Sequence, residues 1–211
     1  ERLRYKLFRN PVVLFFVGGP FLFMIWNRIV KDADKVSRRE KLNVHLTNLA
    51  LAVIIAGLCY LVGWQAFLVI QVPVWIMNSA VGTWLFYMQH QFETTYWKHQ
   101  GEWDFYTGAL RSSSYYKLPR VLHWFSAAIG VHHIHHLNSR IPFYNLEQCH
   151  NENPIFAQGV TEIRLLESLH LANLRVWDED SERLLTWKQA EPLIRALESK
   201  QVAPAAAGQA A

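Results

Sequence analysis

The chain has 211 residues, of which 51% are apolar and 18% charged, and a formal net charge of +4. Mean hydropathy is close to zero, but the apolar residues are gathered into long runs, which excludes an ordinary water-soluble domain. The positive excess does not mark a nucleic-acid surface, because the basic residues stand beside the apolar runs, as in the loops of membrane proteins.

The sequence starts at Glu1 rather than Met and shows no signal-peptide pattern, so it reads as a fragment or a processed product. Residues 1–9 are a basic lead-in with Arg2, Arg4, Lys6 and Arg9. Residues 11–27 are apolar but interrupted by Gly18-Gly19-Pro20, which predicts an interfacial or re-entrant segment. A basic loop follows, with Arg28, Lys31, Lys35, Arg38, Arg39 and Lys41. Together 1–45 form the lead-in region. From Leu42 to Phe92 there is no Asp, Glu, Lys or Arg. Leu46–Trp64 and Ala66–Met88 are each long enough to cross a hydrocarbon core of ~30 Å. They predict a transmembrane hairpin over 46–88 that turns near Gly63-Trp64-Gln65. With 11–27 re-entrant, basic residues on both its flanks place those flanks, and hence Gln89-His90, on the cytoplasmic side; a full crossing of 11–27 leaves the orientation open.

Residues 89–201 are predicted to form a cytoplasmic cap rich in histidines and aromatics. Within it, Thr161–Leu174 reads as an amphipathic helix with Ile163, Leu165, Leu166, Leu169 and Leu174 on its apolar face. Asp178-Glu179-Asp180 reads as a turn, Leu184–Leu197 as a second amphipathic helix, and 202–211 as a disordered Ala-rich tail. The predicted fold class is an all-α integral membrane protein: a hairpin, an interfacial or re-entrant segment and a helical cap. The two cysteines suggest no disulfide framework, since Cys59 lies in an apolar run and Cys149 in the polar region.

The chemistry concentrates in His132-His133-Ile134-His135-His136, four imidazoles in five residues. On a helix each residue advances about 100°, so His132, His135 and His136 share a face and His133 lies at its edge. Imidazole suits zinc, copper, iron and nickel. His90, at the end of the second span, is the natural further ligand. Glu93, one turn on, could ligate, orient a ligand or simply be solvated. His99, His123, His150 and His170 are weaker candidates, with His170 structural. The Cys149-His150 pair could serve a metal, but alone it completes few sites. A His-only cluster against a bilayer suits an open centre that meets a lipid. Iron reacting with O₂ fits such a centre, because acid–base groups do not break an unactivated alkyl C–H bond. The spacing itself does not choose among these metals.

These residues resemble the membrane-bound, histidine-box fatty acid desaturases of the acyl-lipid Δ12/ω6-like type. H-x-x-H-H at His132, His135 and His136, continuing through Leu137-Asn138-Ser139-Arg140-Ile141-Pro142-Phe143-Tyr144, is similar to the family's third box. Gln89-His90-Gln91-Phe92-Glu93 with Tyr96-Trp97 resembles the segment supplying a further iron ligand. Glu102-Trp103-Asp104, Gly108-Ala109-Leu110 and the lead-in Tyr5–Pro11 also match family elements, so the likeness covers about residues 1–185. It implies an enzyme that puts a cis double bond into a fatty acyl chain, with O₂ as co-substrate and two non-haem irons. His90, His132, His135 and His136 are then the ligands. His133 is an alternative or supporting one, and Glu93, Asp104 and His123 stand as supporting or ligating residues. The implied partners are a membrane lipid or acyl substrate and an electron donor such as ferredoxin, docking on basic surface. The implied location is the bacterial inner membrane.

The family's first two boxes would precede residue 1, so the chain by itself is expected to be inactive. Three other readings stay open: a related membrane di-iron hydroxylase of carotenoids, alkanes or acyl chains, a cation transporter, and a non-catalytic metal-binding relative. The near absence of ionisable groups in the spans argues against an ion path.

Overall fold

The computed structural model describes residues 1–31 and 33–207. The chain divides into two compact units, Glu1–Trp84 and Leu85–Ala211. It is a mostly helical membrane protein with three helices long and apolar enough to cross a bilayer.

In the first unit, α1 (Arg2–Phe8) is followed by α2 (Pro11–Arg28). Asn10 starts α2 by accepting from the Val12 N–H at 3.0 Å, with Pro11 at the first helical position. Gly18-Gly19-Pro20 does not break this helix. Proline offers no N–H to the ladder, and the backbone accommodates it between two π-helical stretches, Leu14–Gly18 and Phe21–Ile25. The 18 residues of α2 rise about 27 Å, so the segment expected to be re-entrant has length enough for a crossing.

Gly19 is where α2 meets the third long helix, α4 (Trp64–His90). A Cβ at Gly19 would stand 2.5 Å from Thr83 Oγ1 and 3.0 Å from the Ser79 carbonyl oxygen. Only glycine lets the two backbones approach so closely. The second long helix, α3 (Arg38–Val62), starts before the apolar run because Ser37 and Glu40 form a reciprocal cap. It ends at Gly63, whose φ of +86° suits glycine. No residue of α3 is buried, as expected of an all-round apolar helix that faces lipid.

The second unit carries α5 (Phe105–Arg111), β1 (Tyr115–Lys117), α6 (Arg120–Phe125), α7 (His132–Leu137), α8 (Phe143–Glu152) and α9 (Pro154–Gly159). Then come β2 (Glu162–Arg164), α10 (Ser168–Leu171), β3 (Leu174–Asp178), β4 (Arg183–Thr186) and α11 (Trp187–Ala207). A core of Val131, Ile134 and Leu146 joins α7 to α8, with Tyr115 and Phe156 packed against it.

The amphipathic helix expected over Thr161–Leu174 is not formed. Glu162–Arg164 pairs in parallel with Tyr115–Lys117, Ile163 opposite Tyr116, and only Ser168–Leu171 is helical. Ile163 turns inward while Glu162 and Arg164 face solvent, and Lys117 pairs with Glu162 at 2.6 Å. Pairing with a distant strand has overridden a helical pattern that is visible only within the segment. Similarly, 184–197 begins as β4, paired antiparallel with β3. Thr186 and Gln189 then open α11: the Thr186 N–H donates to Gln189 Oε1 at 2.9 Å. This helix runs to Ala207, into the tail expected to be disordered, and residues 208–211 lie outside the described residues.

Replacing Gly19 by Val should overpack the α2–α4 contact and destabilise the protein by about 1–3 kcal/mol. A lower melting temperature in detergent checks this. Gly57→Ala, where a Cβ meets nothing within 4 Å, should melt no lower than the wild type.

Candidate metal centre

The segment expected to be helical is α7, and its pitch sorts the histidines. His132 and His136, one turn apart, converge with His90, the last residue of α4. One potential ligand nitrogen from each of the three lies within 4.8 Å of the others. His90 Nδ1 lies 2.9 Å from the Phe86 carbonyl. A carbonyl only accepts, so Nδ1 carries the proton and donates, leaving the Nε2 lone pair free to face the cluster. That Nε2 lies 3.0 Å from His136 Nε2. Phe86 stacks on the His90 ring at 4.6 Å and holds its plane.

The neutral form is favoured where the ligands are needed. Burial, reinforced by the neighbouring His136, His90, His135 and His133, pushes the His132 imidazole down to about 3. His136 is also lowered, first by burial and then by His90 and His135. Neutral imidazoles offer lone pairs at pH 7. His132 Nδ1 is buried with no hydrogen-bond partner, and such an orphan calls for an ion or another acceptor–donor match. Imidazole binds first-row cations at about 2.0–2.1 Å, which sets two donors on one ion about 3 Å apart. The three side chains therefore fit a first-row metal, and among the described residues they are the one such group of three.

The other expected residues are distributed around this group. His135 stacks on His132, with centroids 5.5 Å apart and planes inclined by 18°, but it is not one of the convergent three. It lines an apolar groove of about 540 Å³ with Leu85, Ile129, Ile141, Phe143 and Leu146. His133 turns away to His150. Glu93 accepts from His170 at 3.0 Å, which ties it to α10. Asp104 caps α5, accepting from the Thr107 N–H at 2.8 Å, and that bond holds its carboxyl below the usual range. His123 faces Glu147 at 3.3 Å, and His99 faces Glu179 at 3.7 Å.

Gln89 carried no role of its own in the sequence, where it appeared only within the motif around His90. It is fully buried and donates from Nε2 to the Ile129 carbonyl at 2.8 Å, tying the end of α4 to the turn that leads into α7. That turn holds Ala127 and Ala128 at φ of 51° and 55°, a strained geometry for residues with a Cβ. An amide inside a charge-free run, next to His90, was the available signal.

Fold and site together define a mostly helical membrane protein with a histidine cluster at the end of one apolar helix. The family model for fatty acid desaturases matches residues 1–164, and the chain belongs to that family. It is 38% identical over 187 residues to a fatty acid desaturase of Bacillus subtilis (strain 168), an alignment covering 89% of this chain and 52% of that protein. The chain thus spans about half the length of that relative.

In the complete protein, His132→Ala and His136→Ala should each weaken metal binding by more than the roughly 10–100-fold that loss of an outer partner costs. Metal analysis of purified protein measures this. Asp104→Asn preserves the cap and should leave metal content unchanged, whereas Asp104→Ala should lower only the melting temperature.

Proposed function

We propose that the complete protein introduces a cis double bond into a fatty acyl chain, drawing on O₂ and two external electrons at a non-haem iron centre. The convergence of His90, His132 and His136 at the end of an apolar helix carries this reading, and family membership supports it. In overall balance, two vicinal C–H bonds break, one C=C bond forms, and O₂ with two electrons and two protons leaves as two waters. Bound iron would supply the O₂ chemistry needed to break an unactivated C–H bond.

The chain's own residues do the holding. His90, His132 and His136 present neutral nitrogens, and the Phe86 carbonyl orients His90. His135 serves as a further ligand on the side facing the apolar groove. The two-iron centre draws its remaining ligands from outside these residues. The substrate is an acyl chain taken from the bilayer. The electron donor is a small carrier such as ferredoxin, drawn to basic surface. The protein resides in the bacterial inner membrane with the metal centre on the cytoplasmic side.

Gas chromatography of lipids from a host that lacks polyunsaturated acids should show new dienes when the complete protein is expressed. Hydroxylated products instead would establish the hydroxylase reading. In the complete protein His135→Ala should abolish product, and normal yield with full iron content would remove His135 from the centre. The 211 residues expressed alone should yield no dienes.

A further inference from the structure

Helix α7 has only six residues and no side-chain cap at its start. Its side chains leave in different directions: His132 and His136 toward His90, His135 into the groove, and Ile134 into the core with Val131 and Leu146. His133 does none of these. It is 0% exposed, and its Nε2 lies 3.0 Å from Nδ1 of His150 on α8. The two rings meet edge to face with centroids 5.0 Å apart. Tyr115 covers both, 6.0 Å from His133 and 4.8 Å from His150.

A buried imidazole is costly unless it is bonded, and an apolar side chain would fill the same volume. What the pair adds is direction. The packing of Ile134 is non-directional, whereas a hydrogen bond restricts an angle as well as a distance. His133 and Ile134 leave the helix about 100° apart, so the two anchors together fix its rotation about its own axis. Metal sites hold their ligand distances to about 0.2 Å, and a short helix free to rotate would not keep His132 and His136 within that margin.

We propose that His150 is a positioning residue for the metal centre. Its hydrogen bond to His133 sets the rotation of α7, and thereby the convergence of His132 and His136 on His90. The inference rests on the reading of those three residues as metal ligands.

The test uses the complete protein and Co(II), whose visible spectrum reports ligand geometry. His150→Leu removes the bond. His150→Asn places an amide atom where Nδ1 sits, and His133→Gln places one where Nε2 sits. His150→Leu should weaken Co(II) binding about 10–100-fold and alter the spectrum, while the two amide variants keep affinity and spectrum close to wild type. Leu184→Ala, a core change on β4 that touches neither anchor, should lower the melting temperature without altering the spectrum.

Unchanged Co(II) affinity and spectrum in His150→Leu would reduce the pair to packing and overturn the proposal. So would a folded amide variant that binds tenfold more weakly, which keeps the test decisive if His150→Leu does not fold. A Co(II) ion retained by His133 and His150 in the double variant His90→Ala/His136→Ala would make the pair a ligand site instead. None of these readouts depends on lipid unsaturation, so this proposal and the desaturase reading fail separately.

Discussion

Three imidazoles, His90, His132 and His136, are held close together, and the second unit is organised around that convergence. Water would otherwise solvate these nitrogens, and protonation would remove their lone pairs. Burial of His132 suppresses protonation, and the Phe86 carbonyl fixes the tautomer of His90. Neither effect holds the backbone in place. That falls to the contacts around α7, which is too short to be stable as an isolated helix: the Tyr115–Val131 bridge, the Val131–Ile134–Leu146 core, the His133–His150 bond and the Gln89 bond to Ile129. They come from three neighbouring elements, β1, α8 and α4, so the cluster takes its geometry from several parts of the unit.

The first unit obeys a different requirement. Its helices satisfy their own backbone hydrogen bonds, the condition for crossing hydrocarbon, and they meet through a small residue at Gly19. The π-helical stretches of α2 show how a Gly-Gly-Pro interruption is accommodated without ending a helix. Proline takes one bond out of the ladder, and widened turns on either side keep the rest of the backbone paired.

Much of this was legible in the residue order. The charge-free run from Leu42 to Phe92 announced two long helices, and the structure extends each to its capping residue, Ser37 at the start of α3 and Gly63 between α3 and α4. The histidine cluster pointed toward metal chemistry, and helical spacing put His132 and His136 on one face, from which both converge on His90. Spacing could not separate His135 from them. A face read at i, i+3 and i+4 spans a wide arc, and the partner across the gap selects which part of that arc converges.

Composition and spacing determined by themselves the membrane class, the long apolar helices and the identity of the cluster, because each is a property of contiguous residues. Tertiary structure decided the rest. It gave His133 to His150, Glu93 to His170 and Asp104 to a helix cap, and it made a strand of Glu162–Arg164. Those outcomes depend on partners between three and 77 residues away. A local pattern carries no information about which distant donor, acceptor or strand will be there to meet it.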